Sequence, residues 1–296
     1  MYYEIPFQNM NLTSKTCIIT GSTSGIGKAT AVELARQGAT LALPVRDIAK
    51  GNALKEEIIQ KTGNSRVEIF QCDLSSFKSI RNFVSAFLEK YNELHILINN
   101  AGLWESKHRK SADGIEMTFA VNHLAPFLLT NLLLDVMRRS APGRIINVSS
   151  EAYRIGKINF NDLENTGRWN SLKVYGKSKL ANILFTLKLS GIIAKDKITV
   201  NSLHPGVVAT RLFSWLPGFI VKLASLFMLS PEKGAQTTIY LATSQEVENI
   251  TGQYFSKKKI KKTHPLANDK ELADKLWELS MEMTGLLDRS KEKQSA

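Results

Sequence analysis

Short apolar, partly β-branched runs alternate with stretches of helical spacing along almost the whole chain, and this alternation most narrows what it can fold into. The runs cover residues 15–20, 40–45, 67–72, 95–99, 144–149, 199–203 and 253–256. Helical spacing covers 26–37, 48–61, 77–91, 115–139, 172–194 and 232–243, with a further amphipathic stretch at 270–286. Strands and helices taking turns in this way predict an α/β chain: a doubly wound parallel sheet of about seven strands with helices on both faces. In such sheets ligands bind beyond the carboxyl ends of the strands. Those ends carry small or polar residues here, including Thr20-Gly21, Arg46, Asp73, Asn99-Asn100, Ser149-Ser150 and Pro205-Gly206.

The first strand-to-helix corner is the most glycine-rich. Gly21, Ser22, Thr23, Ser24, Gly25, Ile26 and Gly27 join an apolar run to a helical one. Glycines there permit a tight turn and close approach of backbone to a ligand, and the helix start offers open N–H groups and a positive dipole end to a phosphate. A P-loop would need glycine where Ser22 stands and serine or threonine at Ala29, so that reading fails. The Gly-x-x-x-Gly-x-Gly spacing also differs from the Gly-x-Gly-x-x-Gly dinucleotide pattern. The corner alone does not decide between a nucleotide cradle and plain turn glycines.

At 296 residues, with 43% hydrophobic and 22% charged residues, the chain suits a single domain with a substantial core. The formal net charge of +12 favours anionic partners: a phosphorylated cofactor, an anionic membrane surface or nucleic acid. No recognition motif or aromatic-interleaved basic patch supports nucleic acid. Cys17 and Cys72 are the only cysteines, both in strand-like apolar segments, and are read as reduced core residues. Residues 1–14 show no basic segment followed by an apolar core, so the expectation is no signal peptide or N-terminal anchor, and a cytoplasmic location. His95, His108, His123 and His204 lack metal-ligand spacing, and no metal site is expected.

Taken together, Thr20-Gly21, Gly25-Ile26-Gly27, Asn99-Asn100-Ala101-Gly102, Ser150, Tyr175-x-x-x-Lys179 and Pro205-Gly206 resemble the motifs of the short-chain dehydrogenase/reductases. The resemblance runs from about residue 15 to 255. Val45-Arg46-Asp47, Val121-Asn122-His123-Leu124, Asn147-Val148-Ser149-Ser150 and Ser178-Lys179-Leu180-Ala181-Asn182 look most like the retinol-dehydrogenase-like branch. The resemblance implies one Rossmann-like domain spanning 1–296, without a separate substrate domain. It also implies a substrate lid near 207–230, a terminal helix near 270–286 and catalysis by Asn122, Ser150, Tyr175 and Lys179. Dimers and tetramers are common in the family, so a homo-oligomer is compatible with it.

Tyr175 and Lys179, four residues apart, share one helix face. A free phenol titrates near ~10, and a lysine cation beside it favours the phenolate. By resemblance, Tyr175 moves the proton at the substrate oxygen, Lys179 also holds the nicotinamide ribose, and Ser150, second of its pair, steadies the oxygen. Ser149 is expected to bond backbone. Asn122 interrupts an apolar helical stretch, and Pro126 cannot supply the N–H its carbonyl needs. The family uses that carbonyl in a proton relay to the lysine.

For the cofactor, a carboxylate at the second strand end would bond the ribose of NAD. Val45 stands there instead, followed by Arg46, whose planar fork suits a 2′-phosphate, while Asp47 reads as a helix cap. NADP(H) is expected. Asp73 and Leu74 would meet the adenine, Asn100, Ala101 and Gly102 the ribose side, and Pro205, Gly206, Val207 and Thr210 the nicotinamide. Residues 212–229 are rich in Phe, Trp, Leu, Ile and Met, which implies a lipophilic carbonyl or alcohol substrate. Peripheral membrane contact through this stretch, or through the lysines at 257–262, is a further expectation. The alternative from a different class is an NADP-binding scaffold or redox sensor with little turnover.

Overall fold

The computed structural model describes residues 11–163, 169–207 and 229–287. The expected position of Thr210 and almost all of the expected lid lie outside them.

The sheet has eight strands: β1 (Thr16–Ile19), β2 (Thr40–Val45), β3 (Val67–Gln71), β4 (Ile96–Asn99), β5 (Gly143–Val148), β6 (Ile198–His204), β7 (Tyr254–Ser256) and β8 (Lys259–Ile260). Their order is β3-β2-β1-β4-β5-β6-β7-β8. Every pair is parallel except β7 and β8. The chain reverses direction across the sheet between β1 and β4, the switch point where a crevice opens.

Helices α1 (Gly25–Arg36), α2 (Ile48–Thr62), α3 (Phe77–Lys90), α4 (Met117–Phe119), α5 (Ala125–Arg139), α6 (Ser171–Ile192), α7 (Pro231–Thr243) and α8 (Lys270–Met283) complete the described frame. Strand side chains alternate between its two faces, as a period of two demands. Ile18 and Leu97 join the core with Phe83, Leu128 and Phe185 of α3, α5 and α6. Cys17, Ile19, Ile96 and Ile98 join the opposite core with Leu34, Leu54 and Leu241 of α1, α2 and α7. Both cysteines are free and buried. The stretch Met117–Arg139 is long and apolar enough to cross a membrane, yet 83% of its apolar window is buried inside the fold. It is a core element.

Two departures from the sequence reading have plain causes. The expected single helix over 115–139 is broken into α4, a π-turn at Ala120–Leu124, and α5. Pro126 has no N–H for the carbonyl of Asn122, and the helix widens just before it. The eighth strand lies in the lysine-rich segment, read from sequence as a basic cluster. Its two-residue turn, Lys257-Lys258, takes positive φ (52° and 62°) at both positions, the geometry that matches hairpin twist.

Candidate active site

The carboxyl ends of β1 to β6 border one cavity of about 950 Å³. Its lining runs from Gly21–Gly27 and Arg46 past Asp73 and Leu74 to Asn100–Gly102, then to Ser150, Tyr175 and Lys179, and to His204–Val207. All the described residues expected to touch cofactor are brought together there. Asn122 stands immediately behind the wall.

At the glycine corner, Gly21 and Gly25 have φ of 67° and 55°, values that favour glycine. A Cβ on Gly27 would overlap the Gly21 carbonyl and the Asn100 amide. Asn100 Nδ2 donates to the carbonyls of Thr20 (2.8 Å) and Gly21 (3.3 Å), and Thr20 Oγ1 accepts from the N–H groups of Asn100 and Ala101, each at 3.0 Å. The Asn100 side chain therefore ties β4 to the corner, a role the sequence did not disclose. Asn99 is likewise internal, donating to Thr130 (3.0 Å) and Asn147 (2.8 Å).

Two observations fit this corner to a phosphate. Ser24 precedes α1 without capping it through its side chain, and Ser22 Oγ is buried with no hydrogen-bond partner. At the end of β2, Asp47 caps α2, accepting from the Lys50 amide at 3.1 Å and pairing with the Lys50 ammonium at 2.7 Å. Those hydrogen bonds hold its carboxyl below the usual carboxylate range. Arg46 is exposed, and its guanidinium has no ion-pair partner among the described residues. Asp73 is not the cap of α3; Ser76 is, and Asp73 accepts from the Ser75 amide (2.9 Å) and hydroxyl (2.7 Å).

Ser150 ends β5 and opens a 3₁₀ turn over Glu151–Ile155, accepting from the Ala152 amide at 3.2 Å. Its neighbour Ser149 donates to the Lys179 carbonyl at 2.7 Å, a backbone bond as expected. Tyr175 and Lys179 rise from α6, both buried, with Lys179 Nζ 5.5 Å from the Tyr175 ring centre. Lys179 Nζ donates to the Val148 carbonyl at 3.1 Å. Asn122 donates through Nδ2 to the Leu103 carbonyl (2.9 Å) and Ser178 Oγ (3.0 Å), and its Oδ1 accepts from the Leu103 amide (2.8 Å). It clamps the segment after Gly102 against α6. A Cβ on Gly102 would come within 3.3 Å of Lys179 Nζ, so glycine leaves that ammonium room.

Electrostatics here depart from the sequence expectation. Burial pushes Tyr175 up to about 12, while its hydrogen bond with Ser150 pulls the other way. Burial lowers Lys179 to about 8, so at neutral pH it stays mainly charged. Desolvation thus outweighs the lowering expected for the phenol beside a cation. Three of the histidines have structural partners: His95 accepts from the Thr16 amide, His123 meets Ser280, and His204 accepts from the Glu151 amide.

The family model described as short chain dehydrogenase matches residues 15–216. The chain belongs to the short-chain dehydrogenases. Among its curated relatives in this family are mouse (Mus musculus) retinol dehydrogenase 12, 43% identical over 94% of this chain and 89% of the relative, and human (Homo sapiens) retinol dehydrogenase 13, 44% identical over 93% and 86%. They place this short-chain dehydrogenase in the retinol-dehydrogenase-like branch. A crystal structure of a protein from Mycobacterium Paratuberculosis shares the fold, with a TM-score of 0.77 and 31% identity over 94% of this chain and 96% of that one. The short-chain dehydrogenase is accordingly an oxidoreductase with a nicotinamide-type cofactor site.

Proposed function

We propose that the chain is an NADP(H)-dependent oxidoreductase that moves hydride between nicotinamide and a lipophilic carbonyl or alcohol. The observation that carries this reading is one cavity holding Ser150, Tyr175 and Lys179 at one end and an unpaired Arg46 guanidinium at the other. The corner Gly21–Gly27 and the start of α1 would hold the pyrophosphate, Arg46 the 2′-phosphate, Asp73 and Leu74 the adenine, and Asn100–Gly102 the ribose side. Lys179 would hold the nicotinamide ribose, with Pro205–Val207 against the ring. The bound cofactor supplies or accepts the hydride.

The rest falls to the chain. In reduction, the Tyr175 hydroxyl gives its proton to the substrate oxygen while the Ser150 hydroxyl donates a hydrogen bond to the charge developing there. In oxidation, the Tyr175 phenolate takes the alcohol proton back. The Lys179 cation favours that phenolate, and the π-turn beside Asn122 would leave a carbonyl for a water-borne relay to it. Trp104, Met117, Val121, Leu172 and Val207 give the cavity an apolar wall suited to a lipophilic substrate. The retinol named in the relatives agrees with that chemistry, as does the composition of residues 212–229.

The test is loss of NADPH absorbance with a panel of lipophilic aldehydes and ketones, retinal included, with Tyr175→Phe as the blank and NADH as the comparison. Turnover that disappears in the variant supports the enzyme. Faster turnover with NADH removes the role given to Arg46. NADPH binding without turnover in either direction favours the scaffold reading instead.

A further inference from the structure

The residue after the catalytic serine makes more charged contacts than any role assigned so far explains. Glu151 Oε1 accepts from the Tyr254 hydroxyl of β7 at 2.9 Å. Its Oε2 accepts from Arg154 Nε at 2.9 Å and pairs with Lys261 Nζ, just past β8, at 3.0 Å. The Glu151 amide donates to His204 Nδ1 at 3.3 Å, so one residue touches the end of β6 as well. A second tie runs beside it, from the His264 amide to the hydroxyl of fully buried Tyr153, whose ring packs edge-on against Tyr254.

We propose that Glu151 is a positioning residue of the acid–base site, fastening the Ser150 turn to the β7–β8 hairpin and so setting the hydrogen bond between Ser150 and Tyr175. The argument is mechanical. Ser150 is held only locally, by the Ala152 amide within its own turn. That turn has no strand partners of its own, and the Glu151 carboxylate supplies three of its bonds, two of them to the hairpin. Charge-assisted bonds of this kind are the strong ones, and three on one carboxylate fix its place. Burial works against the charge, but the Arg154, Lys261 and Tyr254 donors hold the carboxyl down at about 2, so the fastening is complete throughout the neutral range. The Ser150 hydroxyl is in turn what pulls against the burial of the Tyr175 phenol. Loosening Glu151 therefore reaches the proton carrier without touching it. His204, directly before Pro205 and Gly206, is steadied by the same residue.

The inference rests on the oxidoreductase reading, and the experiment separates the two. Wild-type protein that turns over no carbonyl or alcohol sinks that reading. With a turning-over wild type, the test is Glu151→Gln and Lys261→Met in the full chain, with NADPH affinity read by nucleotide fluorescence and kcat measured against pH in the reducing direction. In Glu151→Gln, kcat falls roughly tenfold to a hundredfold, the scale expected when a positioned group is slightly misplaced. NADPH affinity stays within about twofold, since the phosphate cradle is not involved. The pH at which activity falls off moves upward, because the phenol loses part of the bond that favours its ionised form. Lys261→Met, at an exposed side chain, moves the same limb in the same direction by less, and decides the matter alone should Glu151→Gln fail to fold. A lower kcat with an unmoved pH limb means general loosening and overturns the proposal, as does unchanged kcat and pH profile in the folded variants.

Discussion

The Trp104 indole lies face to face with the Tyr175 phenol, ring centres 5.3 Å apart and planes 19° from parallel. The two residues are far apart in sequence and come together because the segment after Gly102 folds back over α6, held by Asn122. The stack covers one face of the ring whose hydroxyl does the chemistry. Trp104→Ala should admit water to it. Burial is what raises Tyr175 to about 12, so its pKa should fall toward the ordinary phenol value and reductase activity should decline at lower pH. A pH profile of kcat checks this; an unmoved alkaline limb would show that the stack does not control the phenol.

Arg46 should set the cofactor preference. Asp47 is occupied by Lys50, which leaves the guanidinium available to a 2′-phosphate. Arg46→Ala should weaken NADPH by about tenfold, the low end for a charged hydrogen bond at an exposed site, and leave NADH unchanged. Isothermal titration with each nucleotide gives the answer directly.

Gly27→Ala tests the corner. The added methyl would meet the Gly21 carbonyl and the Asn100 amide, both part of the tie between β1 and β4. Overpacking of this kind costs about 1–3 kcal/mol. Urea unfolding should show that loss together with weaker nucleotide binding, and a variant as stable as the parent would mean that the corner relaxes easily.

His123 should make the protein acid-sensitive. It is fully buried, and burial drives its pKa from 6.5 down to about 3, against a hydrogen bond with Asn182 that raises it. Because the folded value is depressed, the unfolded chain binds a proton first. The stabilisation is present above pH 6.5 and is lost as pH falls toward 3. The slope is at most about 1.4 kcal/mol per pH unit from this one group. Denaturant midpoints at several pH values should show it, and His123→Gln should flatten that part of the curve.

Much of this architecture was legible in sequence because it depends on local rules. Strand ends fell within a residue or two of expectation, Asp47 capped its helix, and Ser149 rather than Ser150 bonded backbone, each a consequence of near neighbours. The misses depend on contacts between distant segments. Asn100 was expected on the ribose side, and nothing local said that its amide would spend its hydrogen bonds on Thr20 and Gly21. Trp104 and Glu151 stand next to recognised motifs without sharing their pattern; only the fold brings Tyr175, Tyr254 and Lys261 to them. The effect of Lys179 on Tyr175 was misjudged because burial is a property of the whole packed site. A two-residue strand such as β8 is too short for any periodic signal.

The π-turn at Ala120–Leu124 has a consequence for how this chain can vary in length. A π-turn accommodates one more residue than the α-helix around it. Removing one residue there would restore regular winding and turn everything beyond it by about 100° about the helix axis. The apolar side of α5, with Leu128 and Leu133 in the core, would then swing away from the sheet. On the near side, Asn122 would lose its grip on Leu103. Side-chain replacement in this stretch is a local matter, whereas deletion of a single residue would disturb the core and the active site at once.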